Sequence, residues 1–210
     1  EFDVAPMTIR RDLKELEKGG RVKIQHGGAV LNKNTFFMHG MQFRKNDFVE
    51  EKKQIAKACL EYIHEGDCIF LDSGTTVGEI AHLLFSYKKL TIVTNSLLVA
   101  DCLADNQDLE IIMCPGRYVM SSMAYIDSFT NDFIENFHFD TAFLSASMID
   151  IEKGLTVVWH PESGLKKKVI RHANQTICVA DSSKFDQNGY FGVCPLEQID
   201  ILITDHHLTE

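Results

Sequence analysis

The sequence predicts an α/β protein: a small helix-and-strand segment, then a mostly parallel sheet with helices on both faces. Three observations carry this. From about residue 49 onward, short apolar runs alternate with amphipathic helical stretches, the pattern of strands buried on both faces. Before that, one helical period and one alternating stretch are set off by glycine pairs. The charge also divides. Residues 1–30 hold six basic and five acidic side chains, a net of +1, and residues 31–210 hold fifteen and twenty-five, a net of −10, which together give the chain's −9. Two modules with different partners are the natural reading.

From Pro6 to Glu17, Ile9, Leu13 and Leu16 fall on one helical face, and Pro6 fits the first turn. Gly19-Gly20 stops the helix, Arg21–Gln25 alternates as a strand, and Gly27-Gly28 bends the chain. Residues 31–48 lack a clear period and read as a linker between segment 1–30 and a domain over 49–210. In that domain a helix is expected over Val49–Ile63, a strand at Cys68–Leu71, a helix over Val77–Phe85, a strand at Leu90–Thr94 and a helix after Ser96. A strand at Leu109–Met113, a helix over Ser128–Asn136, a strand at Asp140–Leu144 and a helix over Glu162–His172 follow. Strands at Thr176–Ala180 and Ile199–Thr204 close the chain.

Composition narrows the class. Apolar residues make up 45% and charged residues 24%, which excludes a disordered or fibrous chain. No apolar run approaches a membrane span, and no basic-then-apolar leader opens the chain. The six cysteines show no CxxC spacing and read as reduced, mostly buried thiols of a cytoplasmic protein. Cys178 falls mid-strand and reads as core. His206-His207, read as a strand, would point to opposite faces and chelate poorly. Lys166-Lys167-Lys168 reads as a solvated helix face. No metal or cofactor is expected.

The first segment suits a winged helix. Thr8, Arg10, Arg11 and Lys14 stand on a short helix fit for the DNA major groove, and Arg21, Lys23 and His26 lie on the wing beside it. The same residues would also serve as an exposed amphipathic helix. In the second domain, Asp72-Ser73-Gly74-Thr75-Thr76 lies between a buried strand and a helix. Its amides and hydroxyls make an anion cradle, or a plain helix cap. It lacks the lysine of a nucleotide P-loop. Thr94-Asn95-Ser96 repeats the arrangement, and Arg117 follows the next strand. In a parallel sheet all three loops share the carboxyl edge, where ligands bind. Asp140, Glu162 and Lys184 complete the candidate list, Lys184 beside the hydroxyls of Ser182 and Ser183.

Thr8–Leu13 with His26-Gly27-Gly28-Ala29 resembles the signature of the DeoR family of bacterial transcription repressors. Asp72–Thr76, Thr94–Ser96, Phe139–Leu144, Gly154–Thr156 and Ala180–Phe185 extend the resemblance over nearly the whole chain. It implies an effector domain similar in fold to ribose-5-phosphate isomerase, taking a phosphorylated sugar or related metabolite at the Asp72–Thr76 loop. It also implies operator DNA as partner and, because operators carry two half-sites, a homo-oligomer of at least two chains. Family members carry further helices before the recognition helix, so the chain reads as an N-terminally truncated winged helix that should bind DNA poorly. Ala5 replaces a capping serine; Ala124, Met148 and Arg117 stand where glycines are common and would alter the effector's space. A sugar-phosphate isomerase, with Glu162 as base and Asp140 as its partner, is the alternative.

Overall fold

The computed structural model describes residues 5–18, 22–31 and 41–208, in two compact units that divide between Asp47 and Phe48. The first contains α1 (Pro6–Lys18), an antiparallel hairpin of β1 (Val22–Gln25) and β2 (Gly28–Leu31), and α2 (Met41–Lys45). Ile9, Leu13 and Leu16 give α1 its apolar stripe. The Glu17 carboxylate accepts from the Ile24 N–H at 2.7 Å and ties β1 to the helix. Gly27, at φ 85°, supplies the left-handed residue the hairpin turn needs. The short helix α2 corrects the expected linker, a stretch too polar and brief to show a period. Residues 32–40, also part of that linker, and Arg21 lie outside the described residues.

The second unit runs α3 (Val49–Cys59), β3 (Cys68–Leu71), α4 (Thr75–Leu84), β4 (Thr91–Thr94), α5 (Leu97–Leu103) and β5 (Glu110–Met113). Then come a small hairpin of β6 (Tyr118–Val119) and β7 (Ala124–Tyr125), α6 (Ser128–Ile134), β8 (Phe139–Ser145), β9 (Met148–Asp150) and β10 (Gly154–Val157). It ends with α7 (His160–His172), β11 (Ala173–Val179), β12 (Phe191–Cys194) and β13 (Ile201–Ile203).

Six strands form one parallel sheet in the order β13-β11-β8-β3-β4-β5. One core, with Ile69, Leu71, Ile80 and Phe143, packs on the face covered by α3, α4 and α5; the other, with Phe70, Val93, Leu144 and Leu165, packs on the face covered by α6 and α7. Burying such strands on both faces is what makes their sequences continuous apolar runs. The chain leaves β3 toward β4 and β5, then returns to the other side of β3 with β8. The order therefore reverses between β3 and β8, and a crevice opens at their carboxyl ends.

A second sheet, β12-β10-β9, is antiparallel and has no counterpart in the sequence reading. Its strands are three or four residues long, and β10 is buried at every position, so no alternation marks it. Met148 is fully buried there, with Cε 3.2 Å from where a Gly189 Cβ would stand. All six cysteines are free thiols, four of them buried. Burial pushes the Cys178 thiol up to about 12, as fits a core residue. His206-His207 corrects another expectation. The pair lies in a turn, not a strand, with its rings 4.0 Å apart, and His207 Nε2 is 3.5 Å from Glu51.

Candidate functional site

The loops after β3, β4 and β5 leave the same edge of the parallel sheet. At their centre is a buried ion pair. Lys166, on α7, is 1% exposed and donates to the carboxylate of Asp72, also 1% exposed. The same ammonium donates to the Ser145 carbonyl at 2.8 Å and lies 3.6 Å from Glu162 Oε1. Ser145 donates its N–H to Asp72 Oδ2 at 3.0 Å, and its hydroxyl, 2.9 Å from Asp72 Oδ2 and 2.5 Å from the Ser73 carbonyl, has one proton to share between them. Burial opposes the charge on Lys166, but the Asp72 and Glu162 carboxylates outweigh it and raise the lysine above its usual range.

This overturns the reading of Lys166-Lys167-Lys168 as a solvated face. Only Lys167 is exposed, and Lys168 pairs with Glu135 at 2.5 Å. The signal was available: positions 162, 165, 166 and 169 share one helical face, and Leu165 and Val169 on it are core residues. Glu162 and Lys166 also have the i,i+4 spacing of a helical ion pair. Ser145 was missed because it ends an apolar strand without a motif of its own.

Because Asp72 is committed to Lys166 and Ser145, it does not cap α4. Gly74 takes the N-cap position at φ 155°, and no side chain caps the helix. Ser73 and Thr76 are buried and Thr75 half-buried beside the first turn of α4, where the positive end of the helix dipole lies. Of the two readings of this loop, a side-chain cap on α4 is not what the structure shows. A Cβ at Gly74 would stand 2.7 Å from Ser145 Cβ, so only glycine lets the loop lie this close to β8.

Beside it, Thr94 donates to the Leu71 carbonyl at 2.6 Å and accepts from the Ser96 N–H at 3.0 Å. Ser96 caps α5, accepting from the Val99 N–H at 3.4 Å. Asn95 is fully buried and neither atom of its amide has a hydrogen-bond partner. Arg117 is on the loop after β5. Its guanidinium lies over the Trp159 ring, 5.7 Å from the centroid, and its N–H donates to Asp127 Oδ2 at 2.8 Å.

Lys184 is at the carboxyl edge after β11, with Nζ 3.1 Å from Ser183 Oγ and 3.7 Å from the buried Asp181 carboxylate. Asp140 is at the opposite edge. It opens β8, and its carboxylate accepts from the Cys68 N–H at 2.8 Å. Five residues of strand, about 16 Å, separate it from Ser145. The expected Glu162–Asp140 partnership is therefore not assembled. Asp140 holds the start of β3 instead.

In the first unit, Thr8, Arg10, Arg11 and Lys14 line a groove of about 860 Å³ with Ile24, Gln25 and the glycines of the hairpin turn. Both arginines are exposed, as are Lys23 and His26.

A basic helix and hairpin on one unit, and polar loops gathered at the carboxyl edge of a parallel sheet on the other, fit a ligand-sensing DNA-binding protein. Residues 47–206 match the DeoR C terminal sensor domain, and residues 1–35 match the DeoR-like helix-turn-helix domain. The chain belongs to the DeoR family. It is 35% identical over 204 residues to the glycerol-3-phosphate regulon repressor of Escherichia coli K12, covering 97% of this chain and 81% of that protein. Among solved structures, eIF2B delta from Chaetomium thermophilum superposes with a TM-score of 0.54 at 13% identity, over 77% of this chain and 58% of that one. Ribose 5 phosphate isomerase A from Neisseria gonorrhoeae aligns with a TM-score of 0.45 at 18% identity, over 64% of this chain and 52% of that one.

Proposed function

We propose that this chain is a transcriptional repressor whose affinity for operator DNA changes when a phosphorylated sugar binds at the carboxyl edge of the sheet. The observation that carries the reading is the uncapped N-terminus of α4 at the point where strand order reverses, on a chain whose first unit presents Arg10 and Arg11 along an open groove. The phosphate takes the amides of Ser73–Thr76, and Thr94, Asn95 and Ser96 form the neighbouring wall. Glu162 acts through Lys166, which it helps hold charged, and Lys184 supplies a further cation at the same edge. Arg117 and Asp140 position loops rather than touch the effector. The relative's name, a glycerol-3-phosphate regulon repressor, supports a phosphate ester as effector class.

DNA binding belongs to Thr8, Arg10, Arg11 and Lys14 on the helix and to Arg21, Lys23 and His26 on the wing. Two half-sites require at least a dimer. A coupling of about 1–3 kcal/mol between the two sites changes DNA affinity roughly 5–150-fold. The isomerase reading lacks its acid–base pair, since Glu162 and Asp140 lie at opposite edges of the sheet.

The DNA half is tested by fluorescence anisotropy on duplex DNA over a range of salt. Replacing Arg10 and Arg11 by alanine is expected to weaken binding and to reduce the slope of log affinity against log salt by about 2, about 1 for each phosphate no longer neutralised. An unchanged affinity and slope would remove both arginines from the interface.

A further inference from the structure

In the loop after β4, Asn95 carries the side-chain polar group that has no partner among the described residues. Thr94 Oγ1 donates to Leu71 and accepts from Ser96, and the Asn95 carbonyl accepts from the Tyr125 N–H at 2.8 Å. The exception is the Asn95 amide, 0% exposed, with Nδ2 and Oδ1 both unpartnered. Native proteins rarely leave such a group so, and each case calls for a reason. Its placement supplies one. Leu71 and Thr94 are register partners at the ends of adjacent parallel strands, so Asp72 and Asn95 each open the loop that follows, on strands about 4.8 Å apart. Phe70 and Val93, two residues before them, are both core residues on the face where α7 brings Lys166 down to Asp72.

Asp72 does not satisfy the amide, since neither amide atom has a partner, and a carboxylate, which only accepts, would leave Oδ1 unmet in any case. What can satisfy it is limited by chemistry. The amide offers a donor at Nδ2 and an acceptor at Oδ1. A phosphate dianion only accepts and an ammonium only donates, so each would leave half of the amide unmet. A hydroxyl does both.

We propose that Asn95 is the hydroxyl-reading residue of the effector site, so that the site selects polyhydroxylated phosphate esters over deoxygenated esters of the same length. This rests on the reading of Ser73–Thr76 as a phosphate cradle. The hairpin β6–β7 is bonded to this loop through the Tyr125 N–H and the Ser96–Ala124 bridge, and because Asn95 is fully buried a neighbouring segment must shift to admit the ligand.

The experiment is calorimetric titration of the full chain with four esters in two pairs, alongside inorganic phosphate. The pairs are glycerol 3-phosphate against propyl phosphate, and glucose 6-phosphate against 2-deoxyglucose 6-phosphate. The wild type is expected to favour the hydroxylated member of at least one pair by roughly ten- to hundredfold. In Asn95→Leu that ratio is expected to fall toward one while inorganic phosphate binds within about twofold of wild type. The ligand-free variant is expected to melt no lower than wild type, because an isosteric apolar side chain removes an unmet polar group. Asn95→Ala serves if leucine does not fit against Ala124.

A preference that survives both substitutions would overturn the proposal. So would a ligand-free Asn95→Leu protein that melts well below wild type, since that would mean the amide is held by buried water as a structural group. A wild-type chain that binds no phosphate compound would instead overturn the cradle, and this inference with it.

Discussion

Replacing Lys166 by methionine is expected to destabilise the α/β unit by about 3–5 kcal/mol, the largest effect of any single substitution considered. The cost comes less from the lost attraction than from what remains. Asp72 would keep a buried charge with only the Ser145 donors to meet it. Adding Asp72→Asn to Lys166→Met removes that stranded charge and is expected to recover a large part of the loss. The effect also has a pH signature. The pairing raises the lysine's pKa, so its stabilising contribution is whole below the ordinary lysine value of 10.5 and is lost as pH climbs through the higher folded value. Denaturant unfolding should therefore show a gap between wild type and Lys166→Met that is constant near neutrality and narrows above about pH 10.5. A substitution costing less than about 1 kcal/mol at neutral pH would place Lys166 in water rather than on Asp72.

Gly74→Ala is the second large expectation. Two costs add at this position. The backbone holds φ at 155°, where an L side chain is strained, and the new methyl would stand 2.7 Å from Ser145 Cβ and 3.0 Å from its hydroxyl. Relief requires Ser145 to move, and Ser145 is one of the two residues meeting the Asp72 charge. Overpacking and strain of this kind cost about 1–3 kcal/mol. Phosphate affinity should fall further than stability, because the displaced loop carries the amides that form the cradle. Unfolding midpoints and titration with inorganic phosphate read the two effects separately. Wild-type values for both would mean that the loop does not need its close approach to β8.

The parallel sheet was legible because its strands are buried on both faces and punctuated by polar loops. Cys68–Leu71 appears where the apolar run placed it, and the loops after β3 and β4 carry their hydroxyls as the sequence displays them. Helix α4 begins at Thr75, two residues before the expected start, because residues that look like a loop lie in its first turn. The centre of the site was hidden for a different reason. Lys166 sits in a run of three lysines, and residue type suggested solvent where helical position pointed to the core. Its partner Asp72 is 94 residues away in sequence, a pairing that only the crossover between β3 and α7 creates. Asp140 shows the converse error. Its strand was found, but a carboxylate at a strand's beginning belongs to the amino edge of a parallel sheet, away from the ligand crevice. The β9-β10-β12 sheet left no trace because short strands buried without alternation resemble loops.

We propose that the uncapped N-terminus of α4 holds the phosphate of the effector. The direct measurement is a thermal-shift titration of the chain with sugar phosphates and the matching free sugars, repeated in Thr75→Ala. At one hundred times its dissociation constant a ligand stabilises the folded state by about 2.7 kcal/mol. Such a shift is expected for at least one sugar phosphate, none for its free sugar, and a much smaller one in Thr75→Ala. An equal shift for the free sugar, or one untouched by the substitution, would contradict it.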